Sequence, residues 1–187
     1  MPLWLVRHAA PQIAPGHCYG ALDVAADPEA TRLAAKRLAE QITGPALVLY
    51  SPLQRCELLA KELSWLRHDL AYKAEPRLQE MHFGTWEGRP WADIPATELQ
   101  AWTEDFGHYR CGGGESVNAV MDRVGQVWDA ACARQAAGAN GETEVWIIHA
   151  SVIRAASLLR LGQRTLHSAQ QWPKEAPGFG GDQRINW

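Results

Sequence analysis

Three short apolar runs, Leu3 to Val6, Ala46 to Tyr50 and Val145 to Ile148, each break off into a polar cluster that is followed by a turn or a helical pattern. Runs this short and this apolar read as strands buried on both faces, and such strands belong to a parallel sheet covered by helices. The fold class that follows is α/β, a three-layer sandwich with a mostly parallel sheet and helices on both faces. At 187 residues the chain has the length of one domain. No internal repeat, low-complexity linker or composition break divides it, so a single domain over 1–187 is expected.

The segments between the runs carry helix signals. Asp27-Pro28-Glu29 supplies an N-cap, a proline at the first helical position and an early acid, after which Ala34, Leu38 and Ile42 recur at fours until Gly44-Pro45. Ser51-Pro52-Leu53-Gln54 reads as a capping box opening a helix whose apolar face is Leu53, Cys56, Leu59, Leu63 and Leu66. The strongest amphipathic stripe is Val117, Val120, Met121, Val124, Val127, Trp128 and Ala131, capped by Ser116. A last helix is expected from Ser151 to about Leu161, closed by Gly162, and the Gly- and Pro-rich tail from Trp172 to Trp187 reads as a loop leading to an edge strand. Trp86, Trp91 and Trp102 predict an aromatic wall in mid-chain.

Charge and cysteine usage narrow the partners. The formal net charge is −3 and the pI about 6.2, whereas nonspecific nucleic-acid binding draws on a surplus of Lys and Arg set against phosphates. The apolar start is interrupted at Arg7, with neither a signal-peptide core nor a span-length apolar stretch, which predicts a cytoplasmic protein with no membrane partner. Cys18, Cys56, Cys111 and Cys132 form no C-x-x-C pair and read as four thiols.

The polar clusters are Arg7-His8, Ser51 through Arg55, and His149-Ala150-Ser151. Ligands of open α/β sheets bind at the carboxyl ends of the strands, so clusters far apart in sequence can converge there. Two Arg and two His would meet, with the helix N-termini after Ser51 and Ser151 aimed at the same place. Such a site suits phosphate. Arg7 and Arg55 provide forked donors that stay charged, one imidazole can attack phosphorus, and the other can donate to oxygens that gain charge in the transition state. A leaving alkoxide also needs a proton. Glu80, beside Leu78, Met81 and Phe83, has the apolar setting a general acid requires, although spacing alone does not choose it over Glu75 or Glu87.

Leu5-Val6-Arg7-His8, Ser51-Pro52-Leu53-Gln54-Arg55-Cys56, Leu78 through Gly88, Gly113-Gly114-Glu115-Ser116 and His149-Ala150 resemble, in order, the motifs of the histidine phosphatase superfamily, which includes the cofactor-dependent phosphoglycerate mutases. The resemblance runs from residue 3 to about 162. It implies a phosphoglycerate mutase-like fold, His8 as the phosphorylated nucleophile, Arg7, Arg55 and His149 as the phosphate pocket, and Glu80 as proton donor. Gly16-His17-Cys18-Tyr19-Gly20-Ala21-Leu22-Asp23 looks most like the α-ribazole phosphatase branch, which adds Cys18, Tyr19, Gly20 and Ser151 as substrate-binding candidates and α-ribazole 5′-phosphate as a candidate substrate. The expected partner is a small-molecule phosphomonoester, and a homodimer is compatible with this reading. No cofactor is expected, and no metal either, because two Arg in the pocket repel a cation.

The chain departs from the family pattern at Ala9-Ala10-Pro11, where Gly and then an acid are usual, at Ala14, where a polar residue is usual, and at Ser151, where Gly is usual. Three competing readings follow. One is a phosphoglycerate mutase, against which the short Gly88–Arg110 segment speaks. The second is a catalytically silent phosphate-binding module, and the third a metallohydrolase that uses His8, His149 and Glu80 as ligands. An isolated Arg-His pair at a strand end is usually a polar terminus and nothing more; the other motifs are what reverse that judgement. His17, His68, His82, His108 and His167 read as structural or solvated. Glu115-Ser116 is a helix start after three glycines, Gly112 to Gly114, which can let backbone approach a ligand.

Overall fold

A computed structural model describes residues 2–137 and 143–186; Trp187, the end of the expected tail, lies outside them. The elements are β1 (Pro2–Arg7), α1 (Pro28–Gln41), β2 (Ala46–Tyr50), α2 (Gln54–Leu66), β3 (Ala71–Ala74), α3 (Ala96–Glu104), α4 (Val117–Ala136), β4 (Thr143–Ile148), α5 (Ala150–Arg160) and β5 (Asp182–Asn186). The strands form one sheet in the order β3-β2-β4-β1-β5, parallel throughout except for β5, which runs antiparallel along β1. No described helix is long and apolar enough to cross a membrane.

Alternation along the central strands builds the two cores. Trp4 and Val6 of β1, Val48 of β2 and Val145 and Ile147 of β4 face Ala34, Leu38, Cys56, Leu59 and Leu63 of α1 and α2. Leu3 and Leu5, Leu49, and Trp146 and Ile148 face the stripe of α4, together with Val152, Ile153, Ala155 and Ala156 of α5. Because successive side chains of a strand point to opposite faces, a strand apolar at every position is buried only when both faces are covered. The three-layer α/β expectation is met, and so is the edge strand at the end of the tail.

Asp27 accepts from the amide of Ala30 and caps α1, while Ser116 does the same for Ala119 and α4. The capping box at Ser51 is corrected: α2 starts at Gln54 with Leu53 as its N-cap, because the Ser51 hydroxyl is held by His149, 2.8 Å away. Leu66 is exposed and does not continue the apolar face of α2. Trp86, Trp91 and Trp102 do form an aromatic cluster, with Phe83, Phe106 and Tyr109 around them. Two of the three glycines serve backbone packing: a Cβ on Gly112 would lie 2.3 Å from the Phe83 carbonyl oxygen, and one on Gly114 would lie 2.1 Å from that of His82, whereas Gly113 has open space around it.

Candidate active site

The parallel ladder carries the chemistry to one edge. Beyond the strands the amide of His8 donates to the Ile148 carbonyl at 3.2 Å and that of Ser51 to Ile147 at 3.1 Å, so the carboxyl ends of β1, β4 and β2 lie side by side. The sequence places His8, His149 and Ser51 one residue past those ends, with Arg55 in the first turn of α2. A cavity of 300 Å³ opens above them, lined by Arg7, His8, Tyr19, Glu80, Ser151 and Arg154, with His17, Phe83, Trp91 and Ala150 completing the wall.

His8 is buried, and its Nδ1 lies 2.7 Å from the carbonyl oxygen of Ala9. A carbonyl can only accept, so Nδ1 carries the proton and Nε2 keeps its lone pair. Burial first, then the charges of Arg55 and Arg7, lower the His8 pKa to about 3. The ring is therefore a neutral imidazole with one free nitrogen, the form a nucleophile needs.

Arg55 is fully buried, with Nη2 donating to Gly20 O at 2.6 Å, Nη1 to Leu22 O at 3.0 Å and Nε to His149 Nδ1 at 3.2 Å. Since His149 Nδ1 accepts, its Nε2 holds the proton and donates to Ser51 Oγ. Burial, then Arg55 and His8, hold His149 well below the usual histidine pKa. Its ring centroid is 5.1 Å from that of His8. The two histidines thus meet, but the His149 N–H faces Ser51 rather than the cavity.

Two expected donors are already engaged. The first amide of α2, Gln54 N–H, donates to Asp23 Oδ1 at 2.7 Å, and the α5 amide of Ser151 donates to Glu80 Oε2 at 3.3 Å. Ser151 stands inside α5, which begins at Ala150, and so is not its cap. Glu80 Oε1 accepts from the amide of Met81 at 2.9 Å. Behind it the Arg123 guanidinium donates to the carbonyls of Arg77, Gln79 and Glu80 and pairs with Glu115 at 2.8 Å, fixing the segment. Among the glutamates, geometry brings one to the cavity. Glu75 is bound to Arg77, Glu115 to Arg123, and Glu87 accepts from the amides of Ala21, Leu22 and Phe83; only Glu80 of the four lines the cavity.

Cys18, expected to bind substrate, is instead fully buried in the core, where burial raises its thiol pKa to about 12. Gly20 also stays off the cavity wall. A Cβ there would fall 1.8 Å from the Met81 carbonyl oxygen, and its own carbonyl holds Arg55. Tyr19 does line the cavity, beneath the Arg55 guanidinium at 5.4 Å.

Sequence reasoning missed Arg154, His17 and the tail. Arg154 follows Ser151 by three residues on α5, the spacing that puts two side chains on one helix face. The Arg7 guanidinium donates to Pro177 O at 3.0 Å and lies 4.1 Å over the Phe179 ring, which in turn is 5.7 Å from His8. Buried Nε atoms of Arg7 and Arg154 have no hydrogen-bond partner within the protein. Arg7 and Arg154 both line the cavity, and two guanidiniums beside the single carboxylate of Glu80 favour an anion there.

The sequence model of the histidine phosphatase superfamily (branch 1) matches residues 3–174. The chain belongs to that superfamily. Mycobacterial glucosyl-3-phosphoglycerate phosphatase in complex with VO3 is similar in structure, with a TM-score of 0.80 at 25% identity over 99% of this chain and 92% of that one. The same mycobacterial enzyme with inorganic phosphate gives 0.78 at 25% identity, over 99% and 89% of the two chains. TTHB049 from Thermus thermophilus gives 0.71 at 25% identity, over 100% and 94%. No curated protein matches the chain. Family and structural neighbours together make it a phosphatase of the histidine phosphatase type.

Proposed function

We propose that this histidine phosphatase hydrolyses a small-molecule phosphomonoester in two transfers through a phosphohistidine at His8. In the first, His8 Nε2 bonds to phosphorus as the bond to the ester oxygen breaks, and Glu80 gives that oxygen its proton. In the second, Glu80 takes a proton from water as the water oxygen bonds to phosphorus, the N–P bond breaks, and inorganic phosphate leaves. Arg7 and Arg154 supply donors to the phosphoryl oxygens from the cavity wall, and Arg55 supplies positive charge from beneath. The observation that carries the reading is the His8 tautomer, with Nδ1–H spent on Ala9 O and Nε2 free in a ring that lines the cavity.

His149 acts in this scheme as a positioning residue that orients Arg55. As substrate, α-ribazole 5′-phosphate follows from the resemblance of Gly16 through Asp23 to that branch. The mycobacterial neighbour is named for a different phosphomonoester, glucosyl-3-phosphoglycerate.

Brief mixing with an ester labelled in its phosphoryl group, followed by denaturation, tests the intermediate. The expected label is acid-labile, base-stable and absent from His8→Ala. Acid-stable label, or label that persists in His8→Ala, would overturn this nucleophile.

A further inference from the structure

A second cavity, of 410 Å³, adjoins the first; His17 and Tyr19 line both. Its remaining wall is Ala10, Pro11, Ile13, Ala14, Pro15, Gly16 and Phe179. No Asp, Glu, Lys or Arg stands among these residues, in contrast to the arginine-lined cavity next to it. Ala10 and Ala14, where the resembled pattern has an acid and a polar residue, thus gather on one surface beside Pro11 and present methyl groups there. Phe179, 46% exposed, belongs to the same wall while its ring neighbours His8 and Arg7. The polar atoms it offers are few: His17 Nδ1 lies 3.1 Å from Ala14 O, so Nδ1 donates there and Nε2 is left as an acceptor.

Resting on the phosphatase reading above, we propose that this annex binds the alcohol portion of the substrate, and that the preferred ester carries an uncharged aromatic ring system there. A phosphoryl group at His8 leaves the rest of its ester outside the arginine cavity, and the adjoining volume is the annex. Its size falls in the range of small-molecule sites, ~300–1,000 Å³. Apolar walls with one or two polar atoms favour an apolar occupant and disfavour a charged or hydroxyl-rich one, which would lose hydration without recovering hydrogen bonds. Small side chains at Ala10, Ala14 and Gly16 leave the room, while Tyr19 and Phe179 supply ring faces.

The test compares two esters of primary alcohols, 2-naphthylethyl phosphate and glycerol 3-phosphate, whose leaving oxygens make similar chemical demands. The annex predicts a kcat/KM for the naphthyl ester higher by at least about tenfold, because contacts beyond the reacting group add to transition-state binding. In the double variant Ile13→Asn, Ala14→Asn that preference should shrink to within about threefold. Turnover of glycerol 3-phosphate should stay within about twofold of wild type, which also reports that the variant is folded. Equal kcat/KM for the two esters in wild type, or a preference that persists in the variant, overturns the annex and leaves the phosphatase reading standing. Hydrolysis of neither ester overturns both.

Discussion

Arg55 Nε donates to His149 Nδ1 at 3.2 Å, and this one bond decides which way the second histidine's proton points. With Nδ1 occupied, Nε2–H goes to Ser51 Oγ, so both ring nitrogens of His149 are bonded within the protein.

Stability should fall in mild acid. His8 and His149 are neutral in the folded protein, with pKa values lowered to about 3 and well below 6.5 respectively, mainly by burial. In the unfolded chain both titrate near 6.5, so below that pH the unfolded state binds protons that the folded state refuses. Their full contribution is present above pH 6.5 and declines as the pH drops toward 3, by up to about 1.4 kcal/mol per pH unit for each histidine. Denaturant unfolding between pH 7 and pH 5 measures this, and His8→Ala should reduce the slope. A His8→Ala slope equal to that of wild type would contradict the buried neutral state.

Arg7 and Arg55 should separate in their effects. Arg7→Ala should raise the barrier to phosphoryl transfer by ~2.7–4 kcal/mol, the usual cost of losing one preorganised donor, whereas Arg55→Ala should slow it through the loss of positive charge beneath the site. The sequence alone predicts little effect of either change on folding. Because Arg55 is fully buried and serves the carbonyls of Gly20 and Leu22, Arg55→Ala should also destabilise the fold by about 2–4 kcal/mol. Arg7→Ala should cost much less. Unfolding curves of the two variants, set beside single-turnover rates, would show whether the losses divide this way.

Glu80→Gln should slow hydrolysis of alkyl phosphates far more than that of p-nitrophenyl phosphate, since nitrophenolate departs without a proton. If Glu80 also takes the proton from water, the variant should accumulate phosphoenzyme from the nitrophenyl ester and show a burst before slow turnover. Equal losses on both esters with no burst would remove Glu80 from the role. Glu75, Glu87 and Glu115 are already committed to Arg77, three amides and Arg123, so they make poor substitutes.

Arg154→Met keeps the length of the side chain and removes a half-buried charge whose Nε has no partner. Without ligand the variant should stay within about 1 kcal/mol of wild type, because Arg154 is only partly buried and makes one hydrogen bond, from Nη2 to Lys174 O at 3.2 Å. The rise in melting temperature that inorganic phosphate produces should be smaller in the variant, and KM for phosphomonoesters about tenfold higher. Identical phosphate responses would place Arg154 outside the anion site.

The sheet was legible because β1, β2 and β4 are apolar at nearly every position. β3 was not: Ala71–Ala74 is a largely exposed edge with no such pattern. The site could be read wherever chemistry sits just past a central strand, as with His8. It could not be read where a contact spans the chain, as between Arg7 and Pro177, or where a helix returns one turn later, as with Arg154. Ser51 misled for a related reason. A hydroxyl one residue past a strand looks like a cap until the imidazole that claims it, 98 positions away, is in place.

β1 pairs with β4 and β5 and with no other described strand. β1, which leads into His8, is thus made before both of its neighbours, which come from residues 143–186, and is paired only after them. During synthesis it must wait without a ladder partner while α1, β2, α2 and β3 can already associate. Closing loops of this length is slow compared with local helix formation. His8 therefore reaches its place only as the domain completes itself, and catalytic activity should be among the last properties a refolding chain recovers.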